Sequence, residues 1–262
     1  MDINEDNRSV RQASDEAMSA LKFALKVQKE RLGAAHPGVA TTLSALGKGH
    51  YKRREYIQAM EAYEESLASR RERARRNGID PILSSDVADT LNRMGNVRYQ
   101  QYVDMKKDGA VLGYTCSGPS IAIHSYLEQA LNYYTLALKS RQSIRAKNEN
   151  SSSISEEEAY LMENIGNVLF QRCKYSDALE QYSMAMDVHS KSSSRNCKAA
   201  LAFSLTCLGD THKEMSKKDE NPAGLQTSLD FYRRAMQMRL KHGKGEKKCF
   251  WLLCFQIFIA LK

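Results

Sequence analysis

Proline and glycine are scarce in this sequence, four and fourteen of 262 residues. That scarcity argues against a linker-dominated chain and against an all-β one, both of which need frequent breakers. Paired cysteines are missing too. The six cysteines, at positions 116, 173, 197, 207, 249 and 254, form no C-x-x-C pair and no metal-type spacing. The start, MDINEDNRSV, is polar and acidic, unlike a secretory signal or transit peptide. The thiols therefore read as reduced, several on buried helix faces, and the expected setting is the cytoplasm. There is no H-x-x-x-H pair, no G-x-S-x-G, no phosphate loop and no glycine-rich fingerprint after a strand. The six histidines (36, 50, 124, 189, 212 and 242) are scattered. No catalytic constellation, metal site or cofactor is implied, and the chain reads as a non-enzyme.

What is present favours helix. Alanine, leucine, glutamate, lysine, arginine, glutamine and methionine fill the long middle segments. A hydrophobic content of 42% with 27% charged residues is ordinary for a folded soluble chain. The length allows one extended domain or two compact ones. A formal charge of +8 suits acidic partners, nucleic acid or an anionic membrane without choosing among them.

The informative pattern is a repeat. In GNVLFQRCKYSDALEQYSMA (166–185) a glycine leads by 12 residues to Ala178, by 16 to Tyr182 and by 19 to Ala185. Gly47, Ala59, Tyr63 and Ser66 repeat the spacing without a gap. Gly95 and Gly209 head two further units, with Ala130, Tyr134 and Ala137, then Ser228, Tyr232 and Ala235. Four residues before each glycine stand Leu43, Leu91, Met162 and Leu205; one before stand Leu46, Met94, Ile165 and Leu208. Apolar residues at i and i+3 with a small one at i+4 mark one helix face. A mid-helix glycine costs about 1 kcal/mol relative to alanine, so four in one register imply a packing demand. The small sites let two helices approach closely, and the aromatic fills the gap beside them. An isolated second-helix copy, Ala17, Leu21, Ala24 and Leu25, opens the array.

These residues resemble tetratricopeptide repeats over about residues 13–240. The run RLGAAHPGVATTLSALG (31–47), with its Leu-Gly, His-Pro and Ala-Thr-Thr-Leu, is similar to the kinesin light chain version, as is the 42-residue step from Ala17 to Ala59. GIDPILSSDVADTLNRMG (78–95) is a degraded second copy. The resemblance implies an all-α fold, an α-solenoid of antiparallel helix pairs wound as a right-handed superhelix, with a concave groove lined by each first helix. No heptad-rich coiled coil accompanies it, so only the cargo-binding type of domain is implied, not motor binding.

In this family, groove positions lie three and two residues before the glycine and one and four after it. The resemblance thus assigns to the groove Ser44, Ala45, Lys48 and Tyr51; Asn92, Arg93, Asn96 and Tyr99; Glu163, Asn164, Asn167 and Phe170; and Thr206, Cys207, Asp210 and Lys213. Amides offer a donor and an acceptor and can grip an extended backbone whatever its sequence. Alternatively, they bond neighbouring helices or water. Lys48, Arg93 and nearby Lys52 favour acidic residues in a bound peptide, while Tyr51, Tyr99 and Phe170 would receive apolar side chains. On the binding reading, Asn96→Ala with Asn167→Ala would leave thermal stability nearly intact. The lysine–asparagine pattern of the chaperone-tail clamp known in this family is incomplete, because Lys48 stands where Asn96 and Asn167 stand later. A C-terminal carboxylate is therefore the less favoured ligand. The expected function is binding of an extended, acidic peptide segment of another protein. The competing class is a structural or self-associating part of a longer scaffold.

Three segments interrupt the pattern. Residues 1–12 read as a flexible N-terminus. The second unit carries 23 extra residues, with breakers Gly109, Gly113, Gly118 and Pro119 in the stretch 106–122, and the fourth carries seven near 216–226. Both read as loops, tolerated or partner-contacting. The serine-rich stretches 148–158 and 189–196 suit loops and helix caps, or phosphorylation. The tail, 241–262, is basic and then apolar; its run CFWLLCFQIFIALK (249–262) is shorter than the roughly 20 residues of a spanning helix. It reads as a hydrophobic cap, as an inauthentic end, or as a short membrane-interface anchor. The basic run RRERARR (70–76) falls at a helix C-terminus, where cations are favoured electrostatically, and no stacking aromatics accompany it, which argues against nucleic acid. His50 and His212, both three residues after a repeat glycine, read as packing residues.

Overall fold

The computed structural model describes residues 3–111, 121–148, 153–192, 194–219 and 222–242. Every regular element among them is helical, apart from one 3-10 turn at Pro81–Leu83. Two compact units divide the chain, Met1–Lys147 and Asn148–Lys262. The first contains α1 (Ile3–Leu32), α2 (Pro37–Lys52), α3 (Tyr56–Arg76), α4 (Ser85–Val111) and α5 (Ile121–Lys147). Within it α2 pairs with α3 and α4 with α5, α3 joins the two pairs, and α1 lies against α2. The second contains α6 (Glu156–Gln171), α7 (Tyr175–Lys191), α8 (Arg195–Asp219) and α9 (Pro222–His242), paired α6 with α7 and α8 with α9 and joined through α7 and α8. The fold class is all-α, with stacked helix pairs of the α-solenoid kind.

Local chemistry sets where the helices start. Pro37 occupies the first turn of α2, and His36 caps it, its Nδ1 accepting from the Gly38 N–H at 3.1 Å. Ser155 and Glu158 form a reciprocal capping box on α6. The serine-rich stretch before α6 thus ends in a cap.

Packing within each pair rests on one contact, repeated four times. The ring of Tyr63, Tyr134, Tyr182 or Tyr232 lies on the glycine of the preceding helix, and each tyrosine is at most 2% exposed. A Cβ added at Gly47, Gly95, Gly166 or Gly209 would stand 2.7, 2.5, 2.7 or 2.6 Å from the facing ring. No carbon side chain fits there. The flanking small residues, Ala59 and Ser66, Ala130 and Ala137, Ala178 and Ala185, Ser228 and Ala235, are completely buried. The leucine-type positions before the glycines are buried as well, each worth about 1.5–3 kcal/mol in apolar area removed from water.

Part of the extra residues of the second and fourth repeats lengthens helices, while residues 112–120 and 220–221 of the stretches read as loops lie outside the described residues. Helix α4 runs through Gly109 to Val111, and α8 runs through 216–219. Lysine, aspartate and methionine there are tolerant of helix. At the α8–α9 contact Ser216 is buried, and a Cβ on Gly224 would meet Ser216 Cβ at 2.9 Å, so the added turns pair closely. Helix α1 begins at Ile3, inside the segment read as a flexible N-terminus. The remaining breakers Gly113, Gly118 and Pro119, the cysteines at 116, 249 and 254, and the apolar tail 249–262 lie outside the described residues. No described helix is long and apolar enough to cross a membrane.

The glycine contact is testable. Gly95→Ala should destabilise the protein by about 1–3 kcal/mol in denaturant unfolding, because overpacking against Tyr134 outweighs the helix-propensity gain of about 1 kcal/mol. Adding Tyr134→Leu, the residue type that α1 carries at this position, should recover part of the loss. Two additive losses would show that ring and glycine do not oppose each other.

Candidate functional site

The structure treats the residues assigned to the groove unequally. In the first unit Lys48, Lys52 and Arg93 are exposed, and Tyr51, Asn92, Asn96 and Tyr99 are half-buried. Tyr51 tilts against Tyr56, with ring centroids 6.4 Å apart, and Tyr99 against Tyr102 at the same distance. Ser44, by contrast, is buried: its hydroxyl bonds to that of Ser66 at 2.9 Å and accepts from Arg70 Nη2 at 3.2 Å. In the second unit Asn164, Asn167 and Phe170 are half-buried, but Glu163 is only 5% exposed. Its carboxylate accepts from the Ser204 hydroxyl and faces His189 Nε2 at 3.4 Å. Ser44 and Glu163 therefore do not line an open wall. Phe170 meets Tyr175 edge-on at 5.6 Å and packs on the core around Tyr182 and Leu208.

The amides have a structural duty. The Tyr134 hydroxyl donates to Asn96 Oδ1 at 2.8 Å, and the Tyr182 hydroxyl to Asn167 Oδ1 at 2.8 Å. In the fourth repeat the Tyr232 hydroxyl donates to Asp210 Oδ1 at 2.6 Å. The residue after each of these glycines is thus the acceptor that satisfies a phenol whose ring is buried on that glycine. Removing an acceptor from a buried donor costs about 1–3 kcal/mol, so Asn96→Ala with Asn167→Ala would not spare stability. The bond engages each amide oxygen, and the amide nitrogen keeps its two N–H donors. Cys207 Sγ, across on α8, lies 3.9 Å from Asn167 Oδ1.

The first repeat breaks the rule. Lys48 stands at the acceptor position and can only donate. The Tyr63 hydroxyl, pushed up by burial, instead feels the positive charge of Arg93 on α4, the next first helix, which acts in the opposite sense.

A second periodic bond escaped the sequence reading. Seven residues after the repeat tyrosines come Arg70, Arg141, His189 and Arg239. Three of them reach the position three before their own repeat's glycine: Arg70 to Ser44, Arg239 Nη2 to Thr206 Oγ1 at 3.2 Å, and His189 beside Glu163. The regular spacing of these basic residue types was the available signal. The run 70–76 is largely engaged, since Arg70 and Arg73 pair with Asp86 at 3.7 and 3.0 Å and Arg76 with Glu72 at 2.9 Å. His50 pairs with Glu55, and His212 stacks on Phe231 at 5.5 Å. Among the described residues no group of histidines, cysteines or carboxylates is placed to hold a metal ion.

Two units of helix pairs, locked by glycine–tyrosine contacts at one register, define a helical repeat protein. Residues 39–74 match the family model for the tetratricopeptide repeat, and the register recurs outside that match. Residues 39–74 are thus similar to a tetratricopeptide repeat, and the fold of the described helices is that of tetratricopeptide-like repeat structures. Solved structures agree. BtubC (BKLC) from P. vanneervenii superposes with a TM-score of 0.64 at 18% identity, covering 92% of this chain and 80% of that one. The nearly identical TPR-like repeats of a candidate kinesin light chain from Podosopora anserina give 0.53 at 11% identity over 92% of this chain and 95% of that one. A singly substituted form of the latter gives 0.54 at 11%, covering 90% and 92%. No curated protein matches the sequence.

Asp210 offers a test of the acceptor position. Burial lifts its carboxyl above the usual range, with the Tyr232 hydrogen bond acting in the opposite sense. A carboxyl whose folded pKa is raised carries a penalty above that pKa and none below the unfolded value of about 3.9. Asp210→Asn, which keeps the acceptor and matches Asn96 and Asn167, should therefore stabilise the protein at neutral pH. In chemical unfolding followed across pH, the gain should vanish below about pH 4. A gain that is constant with pH would show that the Asp210 charge is not the cause.

Proposed function

We propose that the chain is a non-catalytic adaptor that binds an extended, acidic peptide segment of a partner protein on its first helices. Tetratricopeptide repeats are in general protein-interaction modules, and the acidic preference is the finer step. The observation that carries it is the state of the cations on the first unit. Arg53, Arg54, Arg70, Arg73, Arg76 and Arg141 each have a carboxylate partner. Lys48, Lys52 and Arg93 are exposed with no such partner among the described residues. They stand with half-buried Tyr51, Tyr99, Asn92 and Asn96 on α2 and α4, a combination of charge, amide and aromatic surface suited to acidic and apolar side chains of one peptide. Asn164, Asn167 and Phe170 offer a similar amide and aromatic set on α6 of the second unit. A cytoplasmic setting goes with this reading, in keeping with the free thiols of Cys173, Cys197 and Cys207. Nucleic acid is not the favoured ligand, since the densest basic run is largely paired.

Fluorescence anisotropy with labelled acidic peptides of extended sequence tests the proposal. The charge reversals Lys48→Glu and Arg93→Glu together should weaken binding at least about tenfold, as loss of two charge-assisted contacts requires, and binding should fall as salt rises. Equal binding by the reversed variant would defeat the acidic preference.

One observation favours the competing, self-associating reading. The α1 positions equivalent to the buried markers are open: Ala17 is exposed, Leu21 and Ala24 are half-buried, and neighbouring Phe23 is 71% exposed. Light scattering at two concentrations discriminates, because a mass that does not change with concentration removes that reading.

A further inference from the structure

We propose that Asp104, on the length of α4 that the second repeat adds, is a positioning residue: it braces the α2–α3 turn of the preceding repeat and thereby fixes Tyr51 on α2. The brace rests on geometry, and its consequence for a ligand rests on the peptide-binding reading. Helices α2 and α6 each end five residues past their repeat glycine, at Lys52 and Gln171, whereas α4 continues to Val111. Asp104 stands nine residues past Gly95, beyond the end of those shorter helices. It is 7% exposed, and three side chains converge on it. The Tyr56 hydroxyl donates to its Oδ2, Gln100 Nε2 donates to its Oδ1 at 3.0 Å, and Arg54 Nη1 lies 3.3 Å from Oδ2. Two of the three come from the turn and the start of α3.

The turn needs holding. Arg54 has φ 60, a left-handed conformation that a residue with a side chain adopts at a cost. The conformation lets the Arg54 and Glu55 N–H groups close α2 on the carbonyls of Tyr51 and His50, each at 3.0 Å. Just beyond it the Tyr56 ring tilts against Tyr51, with centroids 6.4 Å apart. A carboxylate that holds the Tyr56 hydroxyl therefore holds the ring on which Tyr51 rests. Burial by itself would raise the Asp104 carboxyl, but the hydrogen bonds from Tyr56 and Gln100 and the charges of Arg54 and Lys107 outweigh it and bring the group below its ordinary value. Asp104 in turn acts on Tyr51, whose hydroxyl is raised by burial first and by this charge second. The second unit has the same kind of turn without the acid. There Cys173 has φ 57 and Phe170 meets Tyr175 edge-on, yet nine residues past Gly209 stands the exposed Lys218. The acid thus belongs to the second repeat's insertion and not to the repeated pattern.

The test uses the intact chain with isotope-labelled tyrosines, followed by NMR. Asp104→Asn keeps an acceptor for Tyr56 and removes the charge, and Asp104→Ala removes both. Ring resonances of Tyr51 and Tyr56 should move in both variants, further in Asp104→Ala, and stay in place in Lys218→Asn. A carboxyl held below its unfolded value of about 3.9 contributes fully above that value, and the contribution is lost as pH falls through the folded one. In chemical unfolding the stability difference between the parent and Asp104→Asn should therefore be constant near neutrality and shrink below about pH 4. Arg54→Gly, which relieves the left-handed residue, should recover part of the melting temperature that Asp104→Ala loses. Tyr51 resonances untouched by Asp104→Ala, or a difference from Asp104→Asn that does not change with pH, would overturn the brace. For the ligand, the probe is a fluorescein-labelled peptide of alternating glutamate and leucine, read by anisotropy. Asp104→Asn should bind it at least about threefold more weakly, and Lys218→Asn as the parent does. Equal binding by the parent and Asp104→Asn would overturn the positioning role and leave the peptide reading standing. A parent that binds no such peptide would sink the peptide reading instead, with the brace still decided by the rings and the pH profile.

Discussion

The contact between a buried tyrosine ring and a mid-helix glycine governs this structure. It brings paired helices close enough that eight flanking alanine and serine sites are completely buried. A larger residue at the glycine would push the ring away and open those sites in turn. The cost of glycine in a helix, about 1 kcal/mol each, is offset by the packing that it permits. Helix α1 shows what happens without this arrangement. Its equivalent residues have no preceding helix among the described residues, and the positions that are sealed elsewhere stand partly open.

The same tyrosine connects the core to the surface. Its hydroxyl emerges beside the residue following the glycine, so whatever occupies that position is both a partner of the core and part of the first helix's exposed face. Asparagine serves the first role through its oxygen, which accepts the phenol, and keeps two N–H donors on its nitrogen. Aspartate serves the first role at the expense of burying charge. Lysine gives up the internal bond and places a cation on the surface instead. One substitution at a repeat position thereby changes the electrostatics of a face without disturbing the packing beneath it.

The repeat register was legible because it follows from sterics that act on nearest neighbours: small residues where helices touch, and an aromatic where the gap lies. The same reasoning located Asn96, Asn167, Lys48 and Arg93 on first helices. It misjudged Ser44 and Glu163, which share the nominal groove register but are drawn into buried bonds with Arg70 and with Ser204, Glu163 lying also beside His189. Those partners come from other helices, and spacing within one helix carries no information about them. The breaker Gly109 was misjudged for a related reason. Glycine signals a break in isolation, yet Gly109 lies within a continuous helix, and the close approach of Gly224 to Ser216 lets the last two helices pair beyond the usual length.

Periodicity by itself determined the all-helical architecture, the pairing of helices and the identity of the buried small residues, because each depends on chemistry repeated at fixed intervals along the chain. Only the tertiary structure decided which polar side chains are partners of the core and which face outward. That choice depends on distances between side chains far apart in sequence, and a hydroxyl, an amide or a carboxylate can serve either end until its neighbour is in place.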